Sequence, residues 1–276
     1  MLLRETPEGT EPAGLAAMVA LHAVRLGQVG VAISRVGQDE PGTELLRGLD
    51  EAGVDTSHVQ TDPDLPTGRV IVRAVGGTVA RYLESRAAFD KLQWDYDLED
   101  MAQQADAVIY GLLTRRDGQS RSEENRFLRA CTGALKVFDL TNRADDDVDR
   151  GHARSGLELA DAAVIDRVAG DALHIAGPNE PFVDGLSRFM RDLDLSLVIV
   201  RGSDDGTEHL GVLDGQQSNL VELSGDPQSR IAALVALAYG VVRGRDLERC
   251  ADFARRVAEY TVRQPQSPIP ADWLQL

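Results

Sequence analysis

Apolar residues recur at three- and four-residue spacing along several stretches of this chain, and these predict helices. Between them lie short runs in which apolar residues are contiguous or alternate, and these predict strands. Residues 1–13 are polar and rich in Pro and Gly, so they predict a loose arm. Residues 14–26 predict an amphipathic helix, with Gly27 just past its end. A strand is expected over 28–36, a turn over 37–42 and a helix over 43–52 stopped by Gly53. Residues 67–75 and 78–84 predict two strands joined at Gly76-Gly77, a hairpin signal. Beyond it helices are expected at 97–104, 122–131, 156–160 and 180–193, and strands at 107–110, 134–140, 162–166 and 195–201, the last ending at a turn glycine, Gly202. Residues 208–213 and 219–223 suit a second hairpin, and 231–242 and 247–262 two closing helices.

Strands alternating with helices of this length predict βαβ units, hence an α/β fold with a mostly parallel sheet and helices on both faces. The hairpin at 67–84 breaks the rhythm and is expected to stand off the main sheet as a lid. No repeat, low-complexity stretch or long linker interrupts the chain, so a single domain over residues 1–276 is expected.

Residues 218–244 are the stretch around which the rest is organised. A strand-like run meets Ser224-Gly225-Asp226-Pro227, and a long apolar segment follows. Asp226 reads as an N-cap and Pro227 as the first helical residue. A strand–turn–helix of this kind also suits an anion, because unpaired N–H groups and the positive end of the helix dipole point at it.

The chain has 276 residues, 43% of them hydrophobic, and a formal net charge of −16. That charge argues against nucleic acid or an anionic membrane as partner, since both need basic patches. Lysine occurs only at Lys91 and Lys136, and arginine carries the rest of the positive charge. Two cysteines, Cys131 and Cys250, make no CxxC pair and suit a reducing cytoplasm, with no disulfide framework or zinc site. The five histidines are scattered. The N-terminus has no apolar core of a signal peptide, and no apolar run approaches the roughly 20 residues of a membrane span. The acidic run Asp145, Asp146, Asp147 and Asp149 fits no EF-hand spacing and reads as a solvated loop. Neither GxxxxGK[ST] nor GxGxxG occurs.

Residues 25–68, RLGQVGVAISRVGQDEPGTELLRGLDEAGVDTSHVQTDPDLPTG, closely resemble the PfkB/ribokinase family of carbohydrate kinases. The likeness continues through YLESRAAFDKL (82–92), DAVIYGLLTRR (106–116), FDLTNR (138–143), LVIVRGSDDG (197–206) and ARRVAEYTVRQPQSPIP (254–270), and is strongest to bacterial fructokinases. It covers nearly the whole chain from about residue 12. The resemblance implies a ribokinase-like three-layer α/β sandwich with a small β-lid. It also implies ATP-dependent phosphorylation of a sugar hydroxyl, with ATP and Mg as cofactors of an active member, and homodimers formed through the lid. Phosphoryl transfer rests mainly on positioning and charge stabilisation.

The same resemblance exposes departures. No apolar strand is evident ahead of Pro12, so the family's first strand and its substrate aspartate are expected to be missing. The family's PGGAPAN becomes Pro12-Ala13-Gly14-Leu15-Ala16-Ala17-Met18, which puts Met18 where a sugar-binding asparagine is expected; a thioether cannot donate to a hydroxyl. In D-x-N-x-R, Asp139 and Arg143 remain and Thr141 replaces the asparagine. Counting back from Gly240 and Gly244 puts Gln228-Ser229-Arg230-Ile231 in place of the family's Gly-Ala-Gly-Asp, so Ile231 occupies the position of the general base. A second register, with an insertion, makes Ser224-Gly225-Asp226 the anion loop and Asp226 the base; Pro227 would remove one N–H from it. The resemblance thus marks Gly14, Met18, Arg81, Asp139 and Arg143 as sugar-site positions. It marks Gly202 and Gly225 as nucleotide-site positions and Asp226 as the catalytic candidate. Each also has a plainer reading: Asp139 and Arg143 as a pair at a strand end, Tyr82 beside Arg81 as packing, and Asp226 as a cap. Two functions follow. One is a degenerate family member that binds a sugar or nucleotide in a regulatory or structural role. The other is an active sugar kinase that uses Asp226.

Overall fold

The computed structural model describes residues 1–7, 9–75, 78–143, 148–204, 207–214, 218–223 and 227–275. The chain divides into two compact units. One comprises Met1–Glu99, Thr114–Phe127 and Pro270–Leu276, the other Asp100–Leu113 and Leu128–Ile269.

The first unit begins with two strands, β1 (Leu2–Thr6) and β2 (Gly9–Ala13), paired antiparallel, so the loose arm expected over 1–13 is not what forms. An apolar strand does precede Pro12: Leu2 and Leu3 are buried, and β1 also runs parallel to β5 (Arg69–Val75). Helix α1 (Leu15–Arg25) follows, then β3 (Ser34–Gly37), α2 (Glu40–Glu51) and β4 (Val59–Asp62), with β3 and β4 paired parallel. The expected strand over 28–36 is therefore shorter and later. β5 and β6 (Thr78–Leu83) form the expected antiparallel hairpin within a four-stranded sheet of order β2-β1-β5-β6, distinct from the larger sheet. Leu3, Ala17, Ala20, Val36, Leu45 and Leu49 make the core of this unit.

The motif stretch 34–68 has an architectural cause here. Asp39 caps α2 by accepting from Gly42 N at 2.9 Å, and its carboxylate also accepts from Thr67 N at 2.9 Å and Thr67 Oγ1 at 2.5 Å. Thr67 Oγ1 in turn accepts from Gly37 N. One aspartate thereby ties the end of β3, the start of α2 and the approach to β5 together. Burial pulls the Asp39 carboxyl up, but the hydrogen bonds from Thr67 and Gly42 outweigh it and hold the group below the usual carboxylate range. Arg35 and Asp62, both buried, bridge β3 and β4 at 2.8 Å, and Asp62 also accepts from Asp64 N and Leu65 N.

After α3 (Tyr96–Gln104), β7 (Ala107–Gly111) and α4 (Gly118–Ala130) come β8 (Leu135–Asp139), α5 (Arg150–Leu157), β9 (Ala162–Asp166), α6 (Arg167–Ala172), α7 (Phe182–Leu193) and β10 (Leu197–Asp204). β11 (Thr207–Leu213), β12 (Ser218–Leu223), α8 (Pro227–Val242) and α9 (Leu247–Arg263) complete the order. The six-stranded sheet has order β12-β11-β10-β9-β8-β7. β7 to β10 are parallel and the last two strands antiparallel, as the second hairpin predicts. β9 (AAVI) and β10 (LVIV) read as continuous apolar runs because strands inside a parallel sheet are covered on both faces, while β8 (LKVFD) is broken by Lys136. Phe138, Ile165, Leu186, Met190 and Val198 share the core of the second unit, and Tyr110 stacks on Phe138 at 4.9 Å.

Two helices differ from the sequence reading. α5 starts at Arg150, capped by Asp149 accepting from His152 N at 2.7 Å, well ahead of the expected 156–160. α6 was not anticipated; Asp166 ends β9 and caps it at once. Asp145, Asp146 and Asp147 lie outside the described residues. α8 begins at Pro227, as read from sequence. It packs on α9 with Gly240 at the contact, where an added Cβ would sit 2.7 Å from Cys250 Sγ.

Candidate functional site at the strand ends

In an open parallel sheet, ligands bind outside the carboxyl ends of the strands. In the second unit those ends carry a cluster of charge. Asp139 is the last residue of β8 and Asp166 the last of β9, while Arg201 on β10 stands opposite Asp166 in the strand register. The chain turns sharply after β8. Thr141 donates to Asp139 Oδ1 from both its backbone N (2.8 Å) and its Oγ1 (2.6 Å), a local turn of the kind aspartate favours. The Thr141 hydroxyl accepts from Arg201 Nη1. Arg143 Nη2 pairs with Asp166 Oδ2 at 2.8 Å, and its Nη1 donates to Leu140 O at 3.0 Å. Asp166 uses its other oxygen to cap α6, accepting from Ala169 N at 2.9 Å.

Asp139 is only 4% exposed. Burial pushes its carboxyl above the usual range, and nearby Asp166 adds to that, while Arg201 and the Thr141 hydrogen bonds pull the other way without winning. The cluster therefore has one directly ion-paired couple, Arg143–Asp166, and a second couple, Arg201–Asp139, bridged by a hydroxyl.

Asp139, Thr141 and Arg143 are legible in the sequence because they alternate within one motif, FDLTNR; Asp166 and Arg201 lie outside it. The available signal was that each falls at the end of an apolar strand run. Gly202 is not a turn glycine: it lies inside β10, paired with His209 on β11, and an added Cβ would meet nothing within 4 Å.

The segment expected to carry catalysis is only partly described. Gly225 and Asp226 lie outside the described residues. Gln228, Ser229, Arg230 and Ile231 form the opening turn of α8, with Ser229 fully buried and Arg230 and Ile231 half-buried. In the ungapped register the expected base position would fall on Ile231, whose side chain has no atom that accepts a proton.

The remaining positions that the resemblance marks for a sugar site belong to the first unit. Gly14 opens α1 at φ +84°, a conformation that favours glycine, and an added Cβ would press on Leu2 of β1 at 3.3 Å. Its carbonyl accepts from Met18 N at 3.1 Å. Met18 is half-buried on α1. Arg81 lies on β6 opposite Val72 of β5.

A model of the pfkB family carbohydrate kinases matches residues 5–164, and the chain belongs to that family. Over 135 residues it is 29% identical to a sugar kinase of Pyrococcus horikoshii, a stretch covering 49% of this chain and 44% of that protein. The matched part thus spans less than half of the curated relative. The crystal structure of that uncharacterized sugar kinase superposes with a TM-score of 0.75 at 21% identity, covering 99% of this chain and 94% of the other. The same protein in complex with ATP gives 0.70 at 19% identity, covering 99% and 92%. A fructokinase of Vibrio cholerae gives 0.72 at 19% identity, covering 95% of each chain. The fold is thus the ribokinase-like α/β arrangement of mixed sheets with helices on both sides. Among the described residues no helix is long and apolar enough to cross a membrane.

Proposed function

We propose that this protein is a fructokinase-like member of the pfkB family that has lost phosphoryl transfer and retains ligand binding, to a sugar or nucleotide, in a regulatory or structural role. The observation that carries the reading is Ile231, half-buried in the opening turns of α8 at the position where the ungapped family match expects the general base. Met18 in place of a hydrogen-bonding side chain supports it. ATP binding is expected to be weak, outside the micromolar range, although the Pyrococcus relative has been crystallised with ATP. The four-stranded sheet supplies a pairing surface for a second copy: β6 is an edge strand, and Tyr82 on it is 55% exposed.

A second reading is favoured by one feature. α8 begins at Pro227, directly after Asp226, and Asp226 is the sole carboxylate between Ser224 and Arg245. On this reading Asp226 is the base of an active sugar kinase, with ATP and Mg as cofactors.

Losing a general base is worth about 3–5 kcal/mol of barrier, from its typical 10²–10⁴-fold contribution. Turnover with fructose or ribose should therefore fall well below the roughly 1–100 per second of kinases. A coupled ADP-release assay reads this directly. Sugar-dependent turnover near one per second, abolished by Asp226→Asn, would establish the second reading instead.

A further inference from the structure

We propose that the cavity between α6 and α7 binds a small zwitterion of the free amino-acid class, with its carboxylate on Arg167 and its ammonium on Asp171. The cavity has a volume of about 510 Å³, within the range of roughly 300–1,000 Å³ typical of small-molecule sites. Its lining comes from one stretch of the second unit and includes Arg167, Asp171, Pro178, Glu180, Phe182 and Arg188. None of these belongs to the strand-end cluster. Binding there is independent of whether phosphoryl transfer is retained. The walls present both signs of charge. A lone anion entering the cavity meets the carboxylates of Asp171 and Glu180, and a lone cation meets the guanidiniums of Arg167 and Arg188. A ligand with both signs a few bonds apart avoids those like-charge contacts, because each of its ends has a partner of opposite charge.

The two ion pairs in the wall are held differently. Arg188 donates to both oxygens of Glu180 from its two terminal nitrogens, and Nη2 also donates to Ile175 O at 2.9 Å. Gly177 N donates to Glu180 Oε2 at 2.9 Å. These bonds tie the loop ahead of α7 to the helix itself and make one wall rigid. Arg167 and Asp171 lie one turn apart on α6, with side chains 75% and 63% exposed. An exposed pair of this kind contributes little to stability, so a ligand can part it at small cost. The pairing uses Nε, at 2.9 and 3.0 Å, rather than the two terminal nitrogens, which form the fork that matches a carboxylate. Phe182 supplies the apolar part of the cavity. Its ring lies against α6 at Gly170, where an added Cβ would come within 2.7 Å of it, and the Arg167 guanidinium stands 5.9 Å from its centroid. The ring is therefore fixed beside the carboxylate fork, where it meets an apolar side chain carried on the ligand's α-carbon.

The test is calorimetric titration of the full-length protein with L-leucine, and with isocaproate and isoamylamine, which keep the same apolar chain and lack the ammonium and the carboxylate respectively. L-Leucine should bind with a dissociation constant of about 1 mM or tighter, and each single-charge analogue about tenfold more weakly. Arg167→Gln and Asp171→Asn should each weaken L-leucine several-fold; both side chains are exposed, so neither change should unfold the protein. In Arg167→Gln the advantage of L-leucine over isoamylamine should vanish, because the carboxylate has lost its partner. In Asp171→Asn the advantage over isocaproate should vanish for the matching reason. Arg249→Gln removes the same charge as Arg167→Gln from an exposed position on α9 and should leave affinity within about twofold. No binding of L-leucine, an analogue bound by wild type as tightly as L-leucine, equal losses in the Arg167 and Arg249 variants, or unchanged affinity on replacing Arg167 and Asp171 would each overturn the proposal.

Discussion

His22 lies on α1 at 3% exposure, with Nδ1 3.3 Å from Arg25 Nη1 and Nε2 buried without a hydrogen-bond partner among the described residues. Burial first, and the charge of Arg25 second, lower its pKa to about 3. The folded protein then holds His22 neutral while the unfolded chain protonates it near pH 6.5, so the unfolded state binds more protons below that pH. Stability should fall as the solution is acidified from pH 6.5 towards 3, by roughly 2 kcal/mol between pH 6.5 and 5. Urea unfolding of wild type and His22→Leu over that interval isolates the effect, and an identical pH slope in the two proteins would reject this assignment. Asp39 and Asp62, whose carboxyls are held low, lose their contribution only at more acid pH. Nothing in the sequence marks His22 as different from the other four histidines, because its burial depends on what α1 packs against. At the strand ends legibility divides in the same way. Asp139, Thr141 and Arg143 were readable from one motif, while Asp166 and Arg201 join them only because β8, β9 and β10 lie side by side.

At the scale of elements, the network on Asp39 joins the end of β3, the start of α2 and the approach to β5. Asp39→Ala removes an N-cap and leaves Thr67 N–H and O–H without their acceptor. A cap is worth about 1 kcal/mol and an unsatisfied buried group about 1–3 kcal/mol, so a loss of roughly 2–4 kcal/mol is expected. Asp39→Asn should cost less, since asparagine caps about as well. Chemical denaturation with an unchanged m-value measures this, and a loss below about 1 kcal/mol would reduce Asp39 to a cap alone. The elements read correctly from sequence are those with strong local signals: the apolar strands β8, β9 and β10, the hairpin β5–β6, and α8 opening at Pro227. β1 and β2 were missed because they are short and polar at one end, and β1 pairs with β5 more than sixty residues away. α5 and α6 were displaced or missed because each starts at an aspartate cap next to a loop or strand end, where periodicity is too short to read.

At the scale of the molecule, the pairing proposed for the four-stranded sheet predicts a dimer. Light scattering at micromolar concentration should give twice the 29.9 kDa chain mass, and a monodisperse monomer would reject it. With a net charge of −16 on each copy, association should strengthen with salt as like-charge repulsion is screened. Sequence by itself determined the family, the α/β class and the parallel strands. Those properties reside in local patterns and in residue chemistry, which need no neighbours to be read. The pairing of β1 with β5, the neutral burial of His22 and the assembly of Arg201, Thr141, Asp139, Arg143 and Asp166 were decided only by the tertiary structure. Each depends on burial or on contact between residues far apart in the chain, and desolvation and cross-strand distance come into being only when the sheet forms.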